Sequence, residues 1–408
     1  MPANKSILVV NAGSSSIKFA VYGADLAPQV HGELEGIGTL PRLWARCPDG
    51  STVIDRSWYP RDLSDTHALI SALTVWLESH LGEGKLAAIG HRVAIGGLSH
   101  SAPTLITPEV LDRLRALKAL APLHLPRNLE PIESLARLHP HLPQVACFDT
   151  AFHRSMPKVA CTYGLPRQFA EAGARRYGFH GLSYEYIARR LSEIQPAAAT
   201  GRTIVAHLGS GSSLCALRSG RSIATTMGFS PLSGLVMGTR PGELDAGLMI
   251  WLIRDRGMSI DQVEHMLYHE SGLKGVSGLS SDMRELLANS CSQAREAVEL
   301  FVYRIAIECG GLVAALGGLD ALVFTAGIGE RAASIRGAVC ERLGWLGVRI
   351  DDDANAANAQ CISTADSPVS VLVIPTNEEL MVAGHTRALA LPQTGSLVPN
   401  PDKKGTPT

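Results

Sequence analysis

One local pattern occurs twice in this chain. Ile7-Leu-Val-Val-Asn-Ala-Gly-Ser-Ser-Ser-Ile-Lys-Phe-Ala-Val-Tyr-Gly23 runs from an apolar strand through a Gly/Ser turn into a second apolar strand. Thr203-Ile-Val-Ala-His-Leu-Gly-Ser-Gly-Ser-Ser-Leu-Cys-Ala-Leu217 repeats it. Each reads as a hairpin, and the repetition implies two related α/β halves. A third Gly turn lies at Ala321-Leu-Val-Phe-Thr-Ala-Gly-Ile-Gly-Glu-Arg331, where it opens a helix. If the hairpin turns face each other across a cleft, their backbone N–H groups converge on one anion. Glycine permits close approach, and consecutive N–H groups form an anion nest. Serine hydroxyls and Lys18 add donors and charge. A polyphosphate held between two turns is one reading; two hairpins that simply reverse the chain is the other.

Between the hairpins the pattern is mixed. Residues 65–81 and 108–120 have helical apolar spacing, the second with Thr107 as N-cap and Pro108 at the first helical position. Residues 87–97 and 144–153 read as buried strands ending in turns. Residues 294–316 form a long apolar helix, and 377–390 a final one.

Composition excludes several classes. The 408 residues carry a net charge of -1 with no basic or acidic block, so neither nucleic acid nor an anionic membrane is an expected partner. No apolar run is long enough for a signal-peptide core or a bilayer span. The eight cysteines are scattered without a C-x-x-C pair and read as reduced thiols. The expected location is the cytoplasm. Leu391-Pro-Gln-Thr-Gly395 fits a wall-sorting pattern, but the segment after it cannot span a membrane, so the match reads as chance. Residues 393–408 are polar and Pro-rich and are expected to form a loose tail.

The one Gly-Lys pair, Gly84-Lys85, is followed by leucine, so there is no Walker-type P-loop. Gly327-Ile-Gly-Glu-Arg-Ala332 does fit a dinucleotide fingerprint. It follows a strand, opens a helix, and has Asp351 about twenty residues on, at the end of a possible strand in LGVRIDDD. An NAD-dependent oxidoreductase is therefore the rival reading. It leaves the Asn11-to-Lys18 turn without a purpose. His265 and His269 have i,i+4 metal-ligand spacing but no third ligand, and read as an exposed helix face.

Taken in order, NAGSSSIK, GHRVAIGG, APLHLPRNL, FDTAFH, RRYGFHGLSYEYI, HLGSGSS, MGTRPGELD, SGLSSDMR, TAGIGER and PTNEEL resemble the acetate kinase family from about residue 5 to 390. The resemblance implies the actin/sugar-kinase/Hsp70 superfamily: two duplicated ribonuclease-H-like (actin-like ATPase) domains around a nucleotide cleft, in a homodimer. It implies a first domain of residues 1–150 completed by a C-terminal helix at 380–392, and a second of 151–379. The activity implied is reversible, Mg2+-dependent phosphoryl transfer from ATP to a short-chain carboxylate, with Mn2+ as a possible substitute. A non-catalytic actin-like nucleotide binder is a further alternative; the presence of Arg92 and Arg240 speaks against it.

The chemistry agrees with the residues present. A carboxylate is already ionised at neutral pH and needs no general base. The difficulty is bringing one anion to another, so arginines and neutral donors are wanted. By its match to the family, Arg92 would hold the carboxylate, with Ala94, Leu123, Phe179 and Pro231 around its alkyl end. Arg240 would contact the transferring phosphoryl group or the carboxylate. His180 and His124 would donate to the phosphoryl oxygens, and Asp149 would order the magnesium waters or the nearby arginine. Asn11 and Glu378 would lie in the magnesium shell. Lys18, Ser14 and Ser16 would approach the ATP phosphates. His207, Leu208, Gly209, Ser210 and Gly211, then Asp282, Met283 and Arg284, then Gly327, Ile328, Gly329, Glu330 and Arg331 would line the nucleotide. Read without the family, Arg92 could be a structural ion-pair residue, His180 a core residue, Asp149 a turn cap and Glu378 a first-turn helix carboxylate.

Several positions depart from the family pattern. Ala94 stands where the family carries a valine that lines the acid pocket, which implies room for propionate as well as acetate. Leu125, Leu182, Tyr184, Ser210 and Arg331 replace residues usual for the family, and none removes a group given a chemical role above.

Overall fold

The computed structural model describes residues 5–13, 16–37, 39–59, 65–82, 85–121 and 124–391. Ser14, Leu123 and the tail 393–408 lie outside the described residues.

The first hairpin forms strands β1 (Ser6–Ala12) and β2 (Ile17–Gly23), paired antiparallel with Asn11 opposite Lys18. To them are added β3 (Pro28–Glu35), β4 (Arg42–Arg46), β5 (Thr52–Ser57), β6 (Leu86–Val93), β7 (Thr104–Leu105) and β8 (Gln144–Phe148). The sheet order is β5-β4-β3-β2-β1-β6-β8-β7. The second hairpin forms β9 (Arg202–Leu208) and β10 (Ser212–Arg218). With β11 (Arg221–Thr225), β12 (Ala321–Thr325) and β13 (Ser370–Val373) it makes a sheet of order β11-β10-β9-β12-β13.

The two sheets share one topology. In the first, β1 pairs antiparallel with β2, β2 antiparallel with β3, and β1, β6 and β8 run parallel. In the second, β9 pairs antiparallel with β10, β10 antiparallel with β11, and β9, β12 and β13 run parallel. The sequence repeat is thus a repeat of the whole five-strand unit, the duplicated ribonuclease-H-like architecture. Parallel central strands are covered on both faces, and β8 and β12 are accordingly buried along their whole length.

Thr107 caps the helix Pro108–Ala116 through the Val110 N–H, and a 3-10 turn continues it to Leu120. The long helix Ser292–Leu316 packs its apolar face into the core of the second sheet and ends at Gly317, whose φ of 71° lies in the left-handed region. The segment 144–153 is a strand to Phe148 that ends in a turn, as expected, with residues 152–155 in a 3-10 helix. One reading changes. LGVRIDDD is not a strand: Ile350 makes an isolated bridge to Ser363, and Asp351 caps the helix Asp352–Ala356 by accepting from the Ala354 N–H. The acid required by the dinucleotide reading is spent on that cap.

The final helix, Glu378–Ala390, leaves the second sheet and lies on the first. Met381, Val382 and Ala383 pack with Ile7, Val9, Val145 and Cys147, and Leu182 joins the same cluster. Gly90 in β6 makes this possible, because a Cβ there would stand 2.2 Å from Thr386 Oγ1 and 2.6 Å from Val382 Cγ1. This docking carries Glu378 to the end of β6. A Gly90→Ala variant is expected to lose about 1–3 kcal/mol through overpacking at this contact. Chemical denaturation measures it, and unchanged stability would mean the helix is free to shift.

Candidate active site

Three neighbouring parallel strands end side by side, and each delivers one polar residue. β1 brings Asn11, β6 brings Arg92, and the residue after β8 is Asp149. In sheets of this kind the carboxyl ends of the strands form the binding crevice. Arg92 joins them. Its Nε and Nη2 donate to Asp149 Oδ1 and Oδ2 at 3.2 and 2.5 Å, and its Nη1 donates to Asn11 Oδ1 at 3.1 Å. Glu378 Oε2, carried in by the last helix, lies 3.6 Å from Arg92 Nε. Asp149 is only 1% exposed. Burial opposes the Arg92 charge, but the Asp149 and Glu378 carboxylates outweigh it and hold the guanidinium protonated above its ordinary range. Burial pushes the Glu378 carboxyl upward, Arg92 opposes this, and Asp149 and Glu379 reinforce it.

His180 sits beside them in a left-handed conformation, φ 57°, at the start of the helix Gly181–Ile194. The strain is locked in because Gly181 N donates to Asp149 O at 3.0 Å, a contact so close that a Cβ on Gly181 would lie 2.0 Å from that oxygen. The His180 ring stacks on His207 with centroids 4.1 Å apart. Burial, then His207, Arg92 and Arg240, hold His180 well below its ordinary range, while burial and Arg92 bring His207 to about 3. Burial, then Arg240, Arg92 and Arg127, bring His124 to about 4. All three imidazoles are neutral at neutral pH.

Arg240 differs from Arg92. Its Nη1 donates to Pro231 O at 2.8 Å, and among the described residues it has no carboxylate partner. Burial lowers its pKa to about 10, with Tyr268 opposing and Arg92 adding to the effect. It remains charged, and that charge is available to a ligand anion. The second Gly/Ser turn closes against it: a Cβ on Gly211 would lie 2.7 Å from Arg240 Nη2 and 3.2 Å from His180 Nε2.

These groups line one cavity of about 690 Å³. Of the residues singled out in the sequence it gathers Lys18, Arg92, Ala94, His124, Asp149, Phe179, His180, His207, Gly209, Ser210, Gly211, Pro231, Arg240, Gly327 and Glu378. Asn11 touches it through Arg92. Others lie outside the lining. The Ser16 carbonyl accepts from the Gly13 N–H in the turn. Leu208 and Met283 are buried in the second core. Asp282 caps the helix Met283–Ala288 and pairs with Arg284, whose side chain is exposed. Ile328, Gly329, Glu330 and Arg331 follow Gly327 in a short helix; Glu330 accepts from the Thr376 N–H, and Arg331 is exposed. Arg127, Asn128, Thr239 and Tyr268 also line the cavity and were missed, and His269, read as part of an exposed helix face, is exposed but borders the cavity too. Arg127 and Asn128 lay within a quoted motif, but no local pattern marks Tyr268, which reaches the cavity from a π-helical turn, Met266–Glu270. His265 is exposed and pairs with Glu270, and among the described residues no group of three or more histidine, cysteine and carboxylate side chains is placed to hold a metal ion.

The acetokinase family model matches residues 6–384, and the chain belongs to that family. It is 54% identical over 392 residues to an acetate kinase of Rhodopseudomonas palustris, covering 94% of this chain and 98% of that one. It is 51% identical over 397 residues to an acetate kinase of Nitrobacter hamburgensis, covering 96% and 98%. Among solved structures, a propionate kinase from Francisella tularensis superposes with a TM-score of 0.88 at 38% identity, covering 94% of this chain and all of that one. The acetate kinase of Porphyromonas gingivalis gives 0.85 at 34%, covering 94% and 99%.

Because the atoms that an added Cβ would meet at Gly211 are side-chain termini, they can move without disturbing the fold. Gly211→Ala is expected to leave thermal unfolding nearly unchanged and to lower ATP-dependent turnover by about 10- to 100-fold through displacement of Arg240. Wild-type turnover would show that the close approach is incidental.

Proposed function

We propose that the cavity binds ATP and a short-chain carboxylate together and transfers the terminal phosphoryl group reversibly to the carboxylate, giving an acyl phosphate and ADP. Acetate is the first expected acceptor, following the acetate kinases it is similar to, and propionate the second. The observation that carries this reading is the contrast between the two arginines. Arg92 is committed to Asp149, while Arg240 brings an unneutralised, half-buried positive charge to a cavity bordered by a Gly/Ser turn. Such a charge suits two anions that must be brought together.

In this reading Arg240 spans the carboxylate and the phosphoryl group as they approach, and Arg92 keeps Asp149 and Asn11 in place. His180 and His124, neutral, donate hydrogen bonds to the phosphoryl oxygens, and Lys18 and the Gly209–Gly211 backbone meet the outer phosphates. Mg2+ enters as part of the nucleotide substrate. Asn11, Asp149 and Glu378 form an all-oxygen donor set, with two carboxylates sharing one arginine, which fits a cation that retains waters and phosphate ligands. When bound it would neutralise phosphate charge. Residues 1–150 with the final helix, and residues 151–379, act as the two lobes.

The assembly proposed is a homodimer. The helix Ala246–Arg254 buries none of its residues although it is strongly apolar, leaving Leu248, Ile250, Trp251 and Ile253 exposed. Tyr303 and Ile307 on the helix Ser292–Leu316 are also exposed, and Arg304 of that helix pairs with Glu243 just before the exposed Leu244. A second copy is the occupant proposed for this face. Among the described residues no helix is long and apolar enough to cross a membrane; use of ATP favours the cytoplasm.

Incubation with Mg-ATP, hydroxylamine and either acetate, propionate or butyrate tests the reaction. Hydroxamate dependent on enzyme, ATP and acid is expected, and its absence with ATP bound would overturn the carboxylate assignment. Ala94 is buried at the cavity wall, fixed by its N–H to Asn128 Oδ1 at 2.9 Å. Ala94→Val is expected to shift the ratio of propionate to acetate rates toward acetate, by no more than the ~1–3 kcal/mol that one methylene decides; an unchanged ratio would remove Ala94 as a determinant.

Depressed histidine pKa values place protonation on the acid side. His124 and His207 stay neutral above about pH 5, and His180, held well below its ordinary range, is neutral at neutral pH as well; all three charge only on the acid side. The kcat profile is therefore expected to lack a histidine limb between about pH 6 and about pH 8. A limb there that His180→Asn abolishes would show that His180 titrates during turnover.

A further inference from the structure

Tyr184 is one of the departures from the family pattern, and its surroundings give it a use. β9 and β10 pair antiparallel with His207 directly opposite Ser213, so both side chains rise from the same face of the sheet. The helix Gly181–Ile194 lies over that face. His180 at its cap and Tyr184 one turn later are joined by a Tyr184 N–H bond to His180 O at 3.1 Å, and their side chains close on Ser213 from two sides. Ser213 Oγ is 2.9 Å from His180 Nδ1 and 2.5 Å from the Tyr184 hydroxyl. Ser213 and Tyr184 are fully buried.

A serine hydroxyl has one proton and two lone pairs, so the two bonds allow three arrangements; the one in which Ser213 accepts from both His180 Nδ1–H and the phenol leaves the serine proton without an acceptor among the described residues, and two others remain. In one, Nδ1–H donates to Ser213, Ser213 donates to Tyr184, and the phenol proton needs another acceptor. Among the described residues Tyr184 has no other hydrogen-bond partner, and a buried O–H left unpaired is costly. In the other direction Tyr184 donates to Ser213 and Ser213 donates to Nδ1. Every proton in the relay is then used, and His180 carries its own on Nε2. Burial holds the phenol firmly protonated, and so able to donate. Nε2 is the atom beside Gly211 and Arg240 at the cavity wall.

We propose that Tyr184 and Ser213 are positioning residues that fix His180 as its Nε2–H tautomer, so that the imidazole donates into the cavity rather than accepting from it. The value of that donor rests on the phosphoryl-transfer reading; the tautomer itself does not. An accepting nitrogen aimed at a phosphoryl oxygen would repel it, so the relay decides the sign of the interaction as well as the ring orientation.

The test is nitrogen NMR of 15N-histidine-labelled full-length protein, with His180 assigned by comparison with His180→Asn. Wild type is expected to show a protonated, pyrrole-type Nε2 and a pyridine-type Nδ1 at neutral pH. A protonated Nδ1, or an imidazolium, would overturn the proposal, and this readout requires no turnover, so it is separate from failure of the hydroxamate assay. Tyr184→Phe and Ser213→Ala are expected to populate the Nδ1–H form and lower kcat by about tenfold, a fraction of what losing a whole donor costs. KM for ATP and carboxylate is expected to stay within about twofold. Ser213→Thr, which keeps the hydroxyl, is expected to restore both tautomer and kcat. An unchanged tautomer in both Tyr184→Phe and Ser213→Ala would reduce the relay to packing. Should those variants fail to fold, the wild-type spectrum alone decides whether Nε2 carries the proton.

Discussion

The Arg92–Asp149 ion pair is the contact on which the site depends. It ties β6 to the end of β8, holds Asn11 at the end of β1, and meets Glu378 from the final helix. Four segments far apart in the chain are fixed by one guanidinium. With Asp149 buried, removal of either partner would leave an uncompensated charge, at a cost of about 3–5 kcal/mol. A buried pair of this kind is weak evidence for stability, since apolar residues could fill the same space. Its value here is geometric: it sets where carboxylate oxygens and the Asp149 carbonyl stand, and that carbonyl in turn fixes the left-handed His180 through Gly181.

The second arginine shows the opposite use of the same side chain. Arg240 is half-buried and bonded to Pro231 O, with no carboxylate partner among the described residues, so its charge is directed to whatever enters the cavity. Three neutral imidazoles surround it. Were any of them protonated, the site would gain charge but lose control over where it lies; burial and the arginines prevent this. The site therefore works by fixed donors and a cation that no carboxylate neutralises, which suits a reaction between two anions. His180 needs orientation more than a shifted proton affinity, and the Tyr184–Ser213 contact supplies it.

Much of the fold was legible in the sequence. The two Gly/Ser hairpins, the long apolar helix and the capped helix at Thr107 follow from side-chain periodicity and turn chemistry, which act over a few residues. The errors have physical causes as well. LGVRIDDD has strand-like composition, yet Asp351 closes a helix start more favourably than it extends a ribbon. Tyr268 left no local signal, since a π-helical turn is recognised only from its hydrogen bonds.

The sequence by itself determined the duplication, the strand–turn–strand units and the membership of a family, because these reside in the order and spacing of neighbouring residues. Most of the candidate site could be named in the same way. Only the tertiary structure decided which arginine is neutralised and which is not, that Leu208 and Met283 face the core, and that a tyrosine and a serine set the proton of His180. Those outcomes depend on which groups from distant segments meet, and on how far water is excluded where they do. Neither burial nor charge balance is a property of a segment alone.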